Sequence, residues 1–526
     1  MARRFSWLSI ALLCPVFGWI ALVPLLTVFP IYPDELQWKI ISSRLLLDSG
    51  KLLYLFPECS KGILLDSPVS WYPAQLANAF IYSDMTNPQM LRYWGIAVFV
   101  AMIALSAWIV KKTLRPETGY LATAGALIAP LSLGVMPFLL VMNRPEQGLV
   151  LMLLIGCATP LLVGTRALTA LQVWAIALLF VLLSWMMVGT HIKGIFLLPA
   201  LLLAAALTIR QWAPTLAVTA AAAFGAVETF RLWALRTDCP ESPFLTQVFH
   251  AQALSPDSLK SGLVYFLELV ARNILGAKDY WRGVSLRQEY QSGWLPPSEA
   301  PRTLIETVLN AAIPVVMAIA IIVIVFAFTS AILRATRHRM FPSPGPLIAM
   351  SLLVCVLCIA GFQSGKNFYE AALIFPALGI AVVLALPGTP LPGAPKLLFA
   401  LAALALVNQL TIAFRFYGDF PLWKQTLESR QPAQAALKRL IDRCGIEANA
   451  TTKHLLVDDF AYTVLWPTQQ PYFLDLVTGW WATGVDEAQI INDRKISGAV
   501  GTCPLVLNGN WNSVIAEGGY CCAKRS

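Results

Sequence analysis

The chain has 526 residues, of which 57% are hydrophobic and 13% charged, and its mean hydropathy is +0.66. Those values exclude an ordinary soluble globular protein and describe a polytopic membrane protein. The formal net charge of +9 sits largely in short basic segments between apolar runs, so it calls for no nucleic-acid partner.

Bilayer hydrocarbon is about 30 Å thick, so a spanning helix needs about 20 mostly apolar residues, and lipid leaves no other way to satisfy backbone amides. Eleven stretches qualify as expected spans: 6–30, 93–110, 119–142, 147–164, 168–189, 194–209, 213–230, 305–333, 345–361, 369–387 and 396–415. Basic residues at Met1–Arg4 precede the first run, as in a secretory signal. That run is longer than a signal core, and no A-x-A site precedes Pro30, so it reads as a retained first helix. Arg3, Arg4, Lys111, Lys112, Arg115, Arg166, Arg210, Arg334, Arg337, Arg339 and Lys396 fall in short segments on one side. The positive-inside rule makes that side cytoplasmic and the N-terminus with it. The loops 31–92, 143–146, 190–193, 231–302 and 362–368 and the tail 416–526 then face outward. The domain reading follows: a transmembrane domain over 1–415 with large outer loops 31–92 and 231–302, then an extracytoplasmic α/β domain over 416–526.

After the first span, Asp34 and Glu35 stand together at its outer end. The segment that follows is apolar on two sides, with Leu36, Ile40 and Leu47 on one face and Trp38, Ile41 and Leu45 on another, which suits an interfacial helix. Two readings of the acidic pair stand side by side: carboxylates capping that helix, or carboxylates doing chemistry. Three later outward turns add ionisable groups at the same membrane level. "MNRPEQG" supplies Arg144 and Glu146, "GTHIKGI" supplies His191 and Lys193, and "FQSGKNFYE" supplies Lys366, Tyr369 and Glu370. Ionisable groups at the hydrocarbon boundary are costly unless paired or working. Any one turn is ordinary loop polarity, but three in succession, each with a cation, suggest a shared site.

Such a set suits a lipid-linked sugar phosphate, whose tail stays in the bilayer and whose phosphate lies at the interface. Lys193, Lys366 and Arg144, with His191 beside them, are the candidate phosphate-binding groups; arginine grips a phosphate bidentately and lysine acts as a point charge. Cations there also stabilise charge on the departing phosphate. Asp34 or Glu35 is the candidate general base for the attacking hydroxyl, and Glu146 orients the acceptor or tunes the base through like charge. In-line attack inverts the anomeric carbon. In the loop 231–302, Trp281 and Arg282 are candidate sugar or acceptor contacts, as is Tyr369, although aromatics and charges together also suit a membrane-interface belt. A divalent cation is a candidate cofactor, held by the oxygens of Asp34, Glu35 and Glu146, but no ligand-spacing motif argues for one.

These features resemble the GT-C superfamily of integral-membrane glycosyltransferases: an acidic pair after the first helix, an interfacial segment, an acid in the next outward turn, a lysine turn before a late span, and an outer tail. "NRPEQGLVLMLLIG" and "SGKNFYEAALIFPALG" are similar to segments of bacterial membrane arabinofuranosyltransferases. The chain departs from those in being much shorter than the mycobacterial members and in reading "THIKG" where they tend to have a His-Pro pair. The resemblance implies a GT-C-like helical membrane domain in a bacterial inner membrane. Its implied activity is an inverting transfer of a monosaccharide, arabinofuranose among the candidates, from a polyprenyl phosphate to an extracytoplasmic glycan, lipid or protein acceptor. A membrane transporter is the rival reading, as is a catalytically silent assembly protein of the same fold. Transporters usually bury ionisable groups at mid-bilayer and repeat their helix pattern, whereas here the charge is concentrated on one side.

In the tail, "KHLLVDDFAYTVLW" and "GAVGTCPLVLNG" read as strands and "QPAQAALKRLIDRC" as a helix. Cys444, Cys503, Cys521 and Cys522 allow one or two disulfides in an oxidising compartment, with connectivity open.

Overall fold

The computed structural model describes residues 7–28, 39–40, 43, 80–83, 85, 90–113, 132, 143, 145–236, 260, 263–271, 304–362, 371–385, 400, 402–411, 413, 439–445, 454–457, 471–473, 496–503, 511, 513–517 and 520–524. The membrane part is helical: α1 Trp7–Val28, α2 Met90–Thr113, α3 Pro145–Val163, α4 Ala170–Thr190, a 3-10 helix Ile192–Leu197, α5 Leu198–Ile209, α6 Trp212–Arg236, α7 Phe266–Val270, α8 Leu304–His338, α9 Pro344–Phe362 and α10 Ala371–Ala385. Among the described residues five helices are long and apolar enough to cross a membrane: Pro145–Val163, Ala170–Thr190, Trp212–Arg231, Thr307–His338 and Pro344–Phe362. Shorter apolar helices cover Cys14–Pro24, Met90–Leu105, Lys193–Ile209, Leu373–Ala385 and Ala402–Thr411. The expected span 119–142 lies outside the described residues except for Ser132.

Two boundaries differ from expectation. The expected span 194–209 is broken, with 3-10 turns to Leu197 and an α-helix only from Leu198. Gly194 explains the tight start: a Cβ there would lie 2.3 Å from the Met187 carbonyl oxygen. Pro199, which lacks an N–H, then suits the first turn of a fresh helix. At the other end, α8 runs through Arg334 and Arg337, which the sequence placed in a loop. Arg334 Nε donates to the Ser330 carbonyl at 3.2 Å and Thr336 Oγ1 to the Ile332 carbonyl at 3.1 Å. Cations in a last turn also complement the helix dipole.

The helices pack as a chain of neighbours: α2 on α3, α3 on α5, α4 on α6, α5 on α9, and α9 on α10. Their shared core includes Leu149, Leu153, Phe180, Leu201, Leu352 and Leu378. Within it, Trp19 Nε1 donates to Ser132 Oγ at 2.7 Å, and Gln409 Nε2 reaches the same oxygen at 3.1 Å and the Pro15 carbonyl at 2.9 Å. Asn408 Nδ2 donates to the Ser132 carbonyl at 2.7 Å. This network ties α1 to the helix at 402–411 in surroundings where unmet polar groups are expensive. At the end of α3 and α5 remote from Glu146 and Lys193, Arg210 donates to the Leu207 carbonyl at 3.1 Å and to the Gly164 carbonyl, closing two helix C-termini.

The tail holds a five-stranded sheet of β1 His454–Val457, β2 Pro471–Phe473, β3 Ile496–Thr502, β4 Ser513–Glu517 and β5 Tyr520–Lys524, in the order β2-β1-β3-β5-β4. β1 runs parallel to β2 and β3, while β5 is antiparallel to β3 and β4. Adjacent residues on β5 face opposite sides of the sheet. Cys522 therefore bonds Cys444, at the end of the helix 439–444, and Cys521 bonds Cys503, just past β3. Arg439 and Arg443 of that helix both grip Glu517 on β4. The tail is thus an α/β unit with two disulfides.

Candidate functional site at the helix ends

Burial of charge singles out one place in the membrane domain. Among the described residues the buried charged side chains are Arg92, Glu146 and Lys193, at 0%, 1% and 8% exposure. All three lie at the helix ends assigned above to the outer side. Glu146 occupies the first turn of α3, directly after Pro145, where a proline needs no amide partner and a carboxylate meets the positive end of the dipole. Lys193 stands just past the end of α4, and its Nζ lies 3.6 Å from Glu146 Oε1.

His191 fixes the lysine's backbone. It holds an extended conformation, with φ −162° and ψ 145°, between α4 and the 3-10 helix. Its Nδ1 accepts the Lys193 backbone N–H at 3.1 Å, and its own carbonyl accepts the Gly194 N–H at 2.9 Å. An accepting Nδ1 leaves the proton of a neutral ring on Nε2. α4 itself is anchored at its far end by a capping box, in which Thr169 Oγ1 accepts from the Gln172 N–H and Gln172 Oε1 accepts from the Thr169 N–H.

Around this pair the sequence offered fewer cues. Gln147, next to Glu146, donates through Nε2 to the Gly95 carbonyl of α2, which locks the two helix starts together. Arg92 sits one turn before Gly95 on the inward stripe of α2, shared with Phe99 and Met102, whereas Tyr93 and Trp94 are exposed. Asn143, in the turn before α3, donates to the Tyr82 hydroxyl at 2.7 Å. Burial raises the Tyr82 pKa above its ordinary value, and the Asn143 hydrogen bond opposes that in part. Lys39 Nζ lies 5.5 Å from the centre of the Tyr82 ring, within cation–π range. Ile40 beside it is fully buried, and the Ser43 hydroxyl donates to the Lys39 carbonyl. Lys39, from the expected interfacial segment, therefore lies against Tyr82, which itself accepts from the 143 turn.

The C-terminal end of α9 carries an aromatic group. Phe362 stacks on Phe196 at 6.3 Å between ring centres and meets Phe266 of α7 at 5.4 Å. Gly361 admits that Phe266 ring, since a Cβ there would lie 2.2 Å from its Cε2.

Of the site residues expected from sequence, the structure brings Glu146, His191 and Lys193 together. Asp34, Glu35, Arg144, Lys366, Tyr369, Trp281 and Arg282 lie outside the described residues. Among the described residues no group of three or more His, Cys, Asp or Glu side chains is arranged to hold a metal ion. Sequence reasoning missed Arg92 because it began the second span at residue 93. The helix starts at Met90, and the spacing of Arg92, Gly95, Phe99 and Met102 was the available signal.

Removing one partner of a buried ion pair costs about 3–5 kcal/mol, because the other charge is left unmatched in a poor solvent for it. The pair therefore constrains the fold as well as offering an ammonium to an incoming anion and a carboxylate to a hydroxyl.

No family model and no curated protein matches this sequence. Solved structures that it is similar to include the Archaeoglobus fulgidus oligosaccharyltransferase in its apo form, at 12% identity and TM-score 0.46 over 95% of this chain and 70% of that one. The same archaeon's oligosaccharyltransferase AglB, in complex with an inhibitory peptide and a dolichol-phosphate, aligns at 13% identity and TM-score 0.44 over 95% and 70% of the two chains. ArnT from Cupriavidus metallidurans bound to undecaprenyl phosphate aligns at 15% identity and TM-score 0.41 over 99% and 98%. All three TM-scores are below 0.5, so the functional reading rests on the residues of this chain.

Proposed function

We propose that the chain is an inverting glycosyltransferase of GT-C type, taking a monosaccharide from a polyprenyl-phosphate donor to a glycan, lipid or protein acceptor on the outer side of the membrane. The observation that carries this reading is the buried Glu146–Lys193 pair at 3.6 Å, held at the helix ends with His191 behind the lysine. A buried cation at the level of lipid headgroups can meet a phosphate whose chain remains in hydrocarbon.

In this reading Lys193, Arg144, Lys366 and His191 hold the donor phosphate. The acceptor oxygen attacks the anomeric carbon and its proton passes to Asp34 or Glu35. The bond from that carbon to the phosphate oxygen breaks, and polyprenyl phosphate leaves with the electron pair. Glu146 orients the acceptor, and Trp281, Arg282 and Tyr369 contact sugar or acceptor. Lys39 supports the placement of the base: Asp34 and Glu35 precede it by five and four residues, a reach of at most roughly 18 Å. A divalent cation, if bound, would lie on Asp34, Glu35 and Glu146 and supply charge neutralisation. Arabinofuranose is a candidate sugar through the sequence resemblance. The two disulfides of the tail support an oxidising, extracytoplasmic location for it, as expected for a bacterial inner-membrane protein with a cytoplasmic N-terminus.

The test is transfer in proteoliposomes charged with polyprenyl-linked sugars, read by mass spectrometry of the acceptor fraction. Asp34→Asn or Glu35→Gln should abolish transfer while leaving the protein folded. Transfer that survives in both variants would refute the assigned base.

A further inference from the structure

We propose that the segment 263–271, in the long connection between α6 and α8, is a membrane anchor: a short helical stretch at the boundary of the leaflet, with one side on the protein, one in lipid and one in water. The inference goes beyond the glycosyltransferase reading and stands without it.

The segment divides into three sides. Its turn is closed by the Leu269 N–H on the Tyr265 carbonyl at 2.9 Å, and residues three or four apart share a side of a helix. Phe266, Leu269 and Val270 form the protein side. The Phe266 ring fills the space over Gly361 and meets Phe362 at 5.4 Å, and Val270 packs against the bundle core. Leu263, Val264 and Leu267 fall together on a second side and are 68%, 70% and 81% exposed. Tyr265 and Glu268, both exposed, form the third. Large apolar side chains gathered on one exposed side mark a surface that meets something other than water.

Position then selects the occupant. α9 is one of the helices long and apolar enough to cross a membrane. Val354, Leu357, Cys358 and Gly361 lie along one stripe of it. Val354 is exposed and Leu357 and Cys358 are half-buried, whereas Gly361 is covered by Phe266. An exposed apolar stripe on a spanning helix faces acyl chains, so the segment sits on the last turn of the lipid-facing stripe of α9, where the hydrocarbon ends. There lipid takes Leu263, Val264 and Leu267, the headgroup layer suits the ring and hydroxyl of Tyr265, and Glu268 is left to water. Interfacial helices bind membranes by this division of sides. Phe362 also stacks on Phe196, three residues past Lys193, which puts the anchor on the same side of the membrane as the Glu146–Lys193 pair.

The test uses the full-length protein in lipid nanodiscs, where both faces of the bilayer meet solvent. Leu267→Cys, Val264→Cys and Glu268→Cys are labelled one at a time with the fluorophore NBD, and wild type taken through the same labelling gives the signal of the native thiols. Two quenchers are compared: iodide in water, and a phospholipid carrying a spin label high on its acyl chain. The labels at 264 and 267 should emit to the blue of the label at 268, lose emission to the lipid-borne quencher and resist iodide. The label at 268 should do the opposite. Full quenching by iodide at 264 and 267 would put that side in water and overturn the proposal. Protection from both quenchers there would mean that protein covers it, which overturns the proposal too, as would identical behaviour at all three positions.

Discussion

Among the described residues of the membrane domain, two buried polar clusters differ in character. Trp19, Ser132, Asn408 and Gln409 are neutral and interlocked by hydrogen bonds of 2.7–3.1 Å. Arg92, Glu146 and Lys193 are charged, and their one described ion pair is a longer contact of 3.6 Å. A neutral network gains about 1 kcal/mol per bond and fixes how helices sit on one another. A charged layer costs far more to bury and repays it only with close partners or with a ligand. The first cluster holds the bundle; the second, in the proposed reading, is where substrate charge is met.

Lys193→Met tests that contrast most severely. It removes the Lys193 ammonium from the buried Glu146 carboxylate, so we expect a stability loss of about 3–5 kcal/mol with loss of sugar transfer. Combining it with Glu146→Gln should restore much of the thermal stability in detergent and none of the transfer. A smaller effect is expected on the neutral side. Gly18→Ala drives a methyl into Gln409, whose Oε1 would lie 1.9 Å away, and overpacking of this kind costs about 1–3 kcal/mol. Ser132→Ala removes the oxygen that Trp19 and Gln409 share, for about 1–2 kcal/mol. Both variants should keep wild-type KM for the donor when activity is normalised to folded protein.

The smallest expected effect concerns Tyr82. Its phenol pKa is raised above the ordinary value of about 10, so above that pH the folded protein retains a proton that the unfolded chain has released. The stability contributed by this proton is complete below pH 10 and is lost as pH rises through the folded value. Thermal unfolding at pH 9 and pH 11 should show a drop in wild type that is reduced in Tyr82→Phe.

The apolar helices were legible because length and composition decide them: the expected spans 147–164 and 345–361 meet α3 and α9 within two residues. Charge at a membrane boundary was legible too, and the candidates it named included Glu146 and Lys193, from turns more than forty residues apart. Their pairing was not, since it depends on which helices neighbour which. Arg92 was lost to a boundary error of three residues at the start of α2. In the tail, β1 and β3 were signalled by apolar runs. The short strand Pro471–Phe473 and the hairpin of β4 and β5 were not expected, and the disulfide connectivity had to wait for β5 to place Cys521 and Cys522 on opposite faces.

The most direct measurement is the affinity of the purified protein for undecaprenyl phosphate in three forms: wild type, Ser132→Ala and Lys193→Met. The account predicts that wild type and Ser132→Ala bind alike and that Lys193→Met binds about 100-fold more weakly. Unchanged affinity in Lys193→Met, in protein shown to be folded, would contradict it.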